Sequence, residues 1–274
     1  MGKIFLVCHG AWSAGWAWKK MHPLMNAAGH RLITPTYTGL GEREHLANPS
    51  IDLETHIQDI LNVIKYEDLR DIVLIGHSYG GMVATGVADR ARGRIAQLIY
   101  LDAFVPEDGQ SLLDLNEPAR SHMQELARTG DGWRAPPNPT PPDTSPADVE
   151  WLSERRVPMP IKCFEMKLKL QGSALTLPRS YIYATRTTPA DTFGAFAARA
   201  KSEPGWRYYE IDASHWRHVH GAGGPCRVAS KDRFRADVDL DPKRRELVET
   251  ECLFLRAPEK RELTERASGG RQRP

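Results

Sequence analysis

The feature that most constrains this chain is the pentapeptide Gly76-His77-Ser78-Tyr79-Gly80, because of what flanks it. Residues 71–75 are apolar between charged ends and read as a buried strand. Residues 81–90 carry Met82, Val83, Val87 and Ala88 at helical spacing. A serine held between a strand and a helix by G-x-S-x-G occupies a sharp, strained turn, and its neighbours two positions away must lack bulk. Gly76 and Gly80 meet that need, and Gly81 lets the helix approach closely. The turn lifts the hydroxyl above the sheet edge, where a helix N-terminus favours developing negative charge. Gly and Ser are common in turns, so the pattern alone is weak. Strand before and helix after make it specific.

The rest of the first half supports the same architecture. Residues 4–8 form a short apolar run, 31–34 another stopped by Pro35, and 95–104 a third ending at Pro106. Leu53, Ile57, Ile60, Leu61 and Ile64 give 52–66 an amphipathic helical pattern with Asp52 as N-cap. Strand signal returns at 180–184, a helix is expected over 191–202, and a last strand over 206–211. Strands alternating with helices predict an α/β fold with a mostly parallel central sheet flanked by helices. Residues 107–175 interrupt the alternation. Pro136, Pro137, Pro139, Pro141 and Pro142 mark a loop, with helix-like pieces near 111–127 and 147–155. The expectation is a helical cap inserted into a core of residues 1–106 and 176–215. For 129–146 a lid and a disordered surface loop both remain open.

A second element follows the first strand, His9-Gly10-Ala11-Trp12. Together with Leu6-Val7-Cys8, with Gly76 to Gly81, and with Tyr100-Leu101-Asp102-Ala103-Phe104-Val105-Pro106, it resembles one branch of the α/β-hydrolases. That branch comprises small bacterial esterases related to plant methylesterases and hydroxynitrile lyases. The resemblance spans residues 3–215. It implies the α/β-hydrolase fold and an esterase or lyase that needs no cofactor. It also implies an oxyanion hole made by the backbone N–H groups of Ala11 and Tyr79.

Acylation of Ser78 requires a histidine to take its proton, and in this fold the base comes late in the chain. His215, four residues past Ile211, stands in that place. Relatives commonly carry the acid just after the strand at 180–184. Here that position reads Thr185-Arg186-Thr187, without a carboxylate. Asp102, at the end of the strand 95–104, and Asp191, a few residues past the usual place, are the candidates, with a slight preference for Asp102. Their bland roles would be a buried structural carboxylate and a helix N-cap. Trp12, Trp133 and Trp151 are candidate pocket residues, although tryptophans are more often ordinary core.

The formal net charge of +2 gives no reason to expect nucleic acid or an anionic membrane as partner. No apolar run is long enough to span a bilayer. Cys8, Cys163, Cys226 and Cys252 are scattered without metal-ligand spacing, so neither a structural metal nor a disulfide framework is expected. A cytoplasmic enzyme acting on a small-molecule ester, monomeric or homodimeric, is the expectation. A carbon–carbon lyase of the hydroxynitrile type and a catalytically impaired ligand binder are the alternatives. Against the lyase, Ala11 stands where such enzymes typically have threonine, and Trp216 where they have lysine.

Residues 216–274 do not fit the pattern. They hold 14 Lys/Arg and 10 Asp/Glu in 59 residues, with few apolar positions for the helix that should cover the sheet. Two hypotheses cover this segment, a genuine charged and partly disordered tail or the product of a frameshift directly after His215. Dropping one base after that codon permits a family-like run ending in Pro-Glu-Asp-Leu-Ala-Glu-Leu-Leu. Codons unable to encode that run would eliminate the frameshift.

Overall fold

The computed structural model describes residues 2–172, 176–187, 191–215 and 226–227. The strands are β1 (Ile4–Cys8), β2 (Arg31–Ile33), β3 (Ile72–Ser78), β4 (Ile95–Ala103), β5 (Arg134–Ala135), β6 (Met159–Pro160), β7 (Arg179–Ala184), β8 (Trp206–Ile211) and β9 (Cys226–Arg227). The helices are α1 (His22–Ala27), α2 (Leu53–Tyr66), α3 (Gly80–Arg90), α4 (Leu112–Leu115), α5 (Glu117–Thr129), α6 (Pro146–Ser153), α7 (Lys162–Glu165) and α8 (Gly194–Ser202).

Seven strands form one sheet in the order β2-β1-β3-β4-β7-β8-β9. All neighbours are parallel except β9, which runs antiparallel to β8. The strands read as continuous apolar runs because both faces of such a sheet are covered. Alternation sends Leu6, Ile72, Leu74, Leu98 and Tyr100 into one buried cluster with α2 and α3. Phe5, Val7, Val73, Ile75 and Ile99 enter a second cluster with Trp18, Met25 and Leu152. Each such side chain, fully buried, contributes roughly 1.5–3 kcal/mol of transfer free energy.

Helix α2 starts where its cap dictates. The Asp52 carboxylate accepts from the Thr55 amide at 2.9 Å, and the Thr55 hydroxyl accepts from the Asp52 amide at 3.4 Å. The piece expected at 111–127 is two helices instead of one. Pro118 lacks the N–H that would bond the Asp114 carbonyl, and its ring clashes there. The chain therefore leaves helical geometry at Asn116 (φ −132°, ψ 55°) and restarts as α5. Helix α8 begins three residues later than expected, for a reason given below. Residues 107–172 also contain the short antiparallel pair β5–β6. The charged segment and both hypotheses for it lie outside the described residues, except for the backbone of 226–227. No described helix is long and apolar enough to cross a membrane.

Candidate active site

Ser78 is the last residue of β3, and the helix α3 begins two residues later. Its φ is +55°, a region that a non-glycine residue enters only at a cost of order 1–3 kcal/mol. The sharpness of the turn presses α3 onto its neighbours. A Cβ on Gly80 would collide with the Cys8 carbonyl, and one on Gly81 with that of Phe104. Tyr79 occupies the N-cap of α3, so its amide has no partner within the helix ladder.

The loop after β1 is braced from beneath. The Nδ1–H of His9 donates to the Gly10 carbonyl at 2.9 Å, and its Nε2 accepts the Tyr37 amide at 3.3 Å. Complete burial pulls the His9 pKa to about 3, so the ring is neutral and this tautomer is the one the bonds require. The side chain of Tyr79 is tied similarly. Its hydroxyl donates to His56 Nδ1 at 2.9 Å, while His56 Nε2–H donates to the Thr38 carbonyl at 3.2 Å. Burial lowers the His56 pKa to about 4.

His215 lies four residues beyond β8. Its Nδ1 is 2.6 Å from Asp102 Oδ2, and Asp102 is only 5% exposed. Three contacts position the His215 ring and backbone. Phe193 stacks on the imidazole, with centroids 4.9 Å apart and planes at 10°. His77 lies 4.5 Å away ring to ring, and its Nε2–H donates to the His215 carbonyl at 3.0 Å.

Asp102 reaches His215 because β4 is bulged. In the β3–β4 ladder, His77 pairs with Leu101 but Ser78 pairs with Ala103, so Asp102 is skipped. Its φ is +44°. Ala103 takes the cluster face that Leu98 and Tyr100 occupy, which strict alternation would have given to Asp102. Asp191 is used differently. Its carboxylate accepts the Phe193 and Gly194 amides at 3.2 and 2.9 Å and the Tyr183 hydroxyl at 2.7 Å. It caps the turn into α8 and thereby delays the start of that helix to Gly194.

Ser78, His215, Asp102, Ala11 and Tyr79 border one cavity of about 520 Å³, a size typical of small-molecule sites. Trp12, Phe104, Leu112, Met123, Phe164 and Phe193 supply its apolar wall. Asn138 to Pro142 also line it, so the proline-rich stretch is part of the enclosure. Among the described residues, five non-glycine residues have positive φ, and three of them, Trp12, Ser78 and Asp102, lie on this cavity.

Of the three tryptophans expected at a pocket, Trp12 alone lines it. Its Nε1–H donates to the Ala135 carbonyl at 2.9 Å, joining the strand ends to the insertion. Trp133 does not border the cavity, and the guanidinium of Arg134 lies over its ring at 4.7 Å from the centroid. Trp151 packs edge-on to Trp16 at 5.1 Å, with Lys20 and Arg155 over its ring. Phe193, Phe164 and Arg156 were not foreseen as lining residues. Only the tertiary path of short helices brings them here. Among the described residues no cluster of three His, Cys, Asp or Glu could hold a metal ion.

Comparison with known proteins places this geometry in a family. A model of the alpha/beta hydrolase family matches residues 5–224. The carbendazim hydrolyzing esterase of Nocardioides sp. (strain SG-4G) is 40% identical over 223 residues, covering 77% of this chain and 91% of that one. Methylesterase 2 of Arabidopsis thaliana is 30% identical over 140 residues, 47% of this chain and 48% of its own. Among solved structures, an extracellular alpha/beta-hydrolase from a Paenibacillus species superposes with a TM-score of 0.69 at 27% identity. It covers 79% of this chain and 93% of its own.

Proposed function

The chain belongs to the alpha/beta hydrolase family and acts on carboxylic esters, and we propose that it does so through an acyl-enzyme formed on Ser78. The observation that carries this reading is the 2.6 Å contact between His215 Nδ1 and Asp102 Oδ2 in the wall that also holds Ser78. With Nδ1 committed to the carboxylate, Nε2 is the nitrogen left to take the Ser78 proton. As Oγ bonds to the ester carbonyl carbon, negative charge develops on the carbonyl oxygen. The amides of Ala11 and Tyr79 receive it. The bond to the leaving oxygen then breaks, and His215 returns the proton to that oxygen, releasing the alcohol. Water repeats the sequence on the acyl-enzyme, giving the acid and restoring the serine.

His9 has a place in this scheme. A trans peptide points its C=O and N–H in opposite directions. By holding the Gly10 carbonyl, His9 sets the direction of the Ala11 N–H. Residues 107–172 act as the cap that encloses the substrate, and their lining residues favour small to medium apolar groups. Ala11 offers no hydroxyl to the cavity, so nothing here favours the lyase alternative. The buried free thiols Cys8 and Cys163 fit a reducing, cytoplasmic setting.

Hydrolysis of a nitrophenyl ester series tests the assignment. Turnover in Ser78→Ala is expected to fall by about 10⁴-fold or more, with the fold retained. Turnover that survives the substitution would remove Ser78 as nucleophile.

A further inference from the structure

Phe193 meets the imidazole of His215 face to face, with ring centroids 4.9 Å apart and planes at 10°. The same phenyl ring meets Phe104 differently, at 5.1 Å and 69°. Its place is fixed through the backbone as well. Phe193 is the N-cap of α8, and its amide donates to Asp191 Oδ1 at 3.2 Å. Asp191 in turn accepts the Tyr183 hydroxyl of β7 at 2.7 Å. Among the described residues, two titratable groups also face the imidazole. Asp102 of β4 lies 2.6 Å from Nδ1, and the ring of His77 of β3 lies 4.5 Å away, tilted by 31°. Asp102 therefore acts at the edge of the imidazole and Phe193 at its face.

The ester reaction charges this imidazole twice. The Ser78 proton passes to His215 Nε2 as Oγ bonds to the carbonyl carbon, and a proton of water passes the same way as its oxygen attacks the acyl-enzyme. Each time the imidazolium lasts until it returns the proton to the departing oxygen. The face of a phenyl ring is negative and its edge positive. A cation within about 6 Å of the centroid is attracted to that face, and a neutral ring gains only ordinary contact. An attraction felt by imidazolium and not by imidazole acts in the transition state and not in the ground state. It raises kcat instead of lowering KM.

We propose that Phe193 is a positioning residue for His215 whose ring face stabilises the imidazolium formed at each proton transfer in preference to the neutral imidazole. This deepens the acyl-enzyme reading and rests on it for the effect on turnover, though not for the pairing of the two rings. Phe193 also lines the cavity, so a change in its outline would move KM as well. The decisive experiment alters the charge distribution of the ring and leaves its outline alone.

Phenylalanine at position 193 alone is replaced by 4-fluoro-, 3,5-difluoro- and 3,4,5-trifluorophenylalanine, which drain the ring face of negative charge stepwise. With nitrophenyl acetate, kcat is expected to fall in that order, by about 3- to 10-fold at three fluorines, while KM stays within about twofold. That range suits an imidazole whose side chain is 24% exposed, between a surface pair and a desolvated one. A kcat that stays flat across the series, even beside a fall in Phe193→Leu, would reduce the ring to packing and overturn the proposal. A second arm needs no turnover. In the same proteins carrying Ser78→Ala, the carbon-13 signal of the His215 ring is followed against pH and assigned by its loss in His215→Gln. The charged form is expected to give way at a lower pH with each fluorine, by the same 3- to 10-fold change in equilibrium. A midpoint that does not move would overturn the proposal equally. Absence of all hydrolysis would count against the acyl-enzyme reading alone, because the second arm still decides the role of Phe193.

Discussion

The two halves of the cavity wall are built by opposite means. On the strand-end side the backbone does the positioning. Trp12, Ser78 and Asp102 are held at positive φ, and Gly80 and Gly81 admit no Cβ. On the insertion side there are helices of 4, 13, 8 and 4 residues, a two-residue strand pair and a proline-rich loop, and no described non-glycine residue there has positive φ. The difference separates two tasks. The proposed proton transfer and oxyanion stabilisation would need atoms fixed to within about half an ångström, a demand that over-determined strand ends suit. Recognition needs only a complementary surface, which short elements can supply and alter.

The comparison breaks most sharply at the acid. Asp102→Asn should lower kcat by about 10³- to 10⁴-fold, because an amide at Nδ1 favours the wrong imidazole tautomer. Asp191→Asn should change kcat less than about threefold and cost about 1 kcal/mol of stability through the weakened cap. Steady-state kinetics and thermal melts of the two variants check this, and the reverse ranking would move the acid to Asp191.

Acid sensitivity is the next effect in size, and it belongs to the strand-end side. His9 and His56 are buried and neutral, with pKa values lowered to about 3 and about 4 from an ordinary 6.5. Below pH 6.5 the unfolded chain takes up protons that the native state refuses. Stability is therefore full above that pH and is lost progressively as pH falls toward 4. Each histidine steepens the decline by about 1.4 kcal/mol per pH unit. Urea titrations between pH 7 and pH 4.5 should show a shallower slope for His9→Asn than for the wild type. An unchanged slope would mean that His9 is protonated in the folded protein.

Smallest is the joint between the halves. Trp12→Phe keeps an aromatic ring but deletes the bond to Ala135, and about 1 kcal/mol of stability should go with it. The phenyl ring leaves the strand ends in place, so kcat should be spared and KM raised a few-fold. A drop confined to kcat would show that Trp12 serves the reacting groups instead.

How much of this could be read from the sequence follows the same division. The serine turn was legible because its glycines are a steric necessity visible in one dimension, and His215 because chain order in this fold places the base last. Asp102 was only half legible. The sequence offers it beside Asp191 with a slight preference, but the bulge that aims it at His215 depends on the register between β3 and β4, which no local pattern encodes. The insertion was least legible. Trp133 and Trp151 drew attention as large aromatic rings, yet each is occupied by neighbouring cations or another indole. Arg156, a charged residue beside a loop, carried no signal at all. Pro118 is a breaker visible in the sequence, and it divides the helical pattern over 111–127.

The proposed carboxylate on β4 bears on how this protein can change over generations. Ser78 ends β3, and Asp102 lies one residue before the end of the adjacent, hydrogen-bonded β4, so drift in the outer strands leaves their relationship alone. The turn after β7 is thereby relieved of proton handling. Arg186 and Thr187 nevertheless face the cavity from that turn. It is a segment where a lineage, or an engineer with a randomised library, can explore new substrates while the turnover machinery is inherited intact.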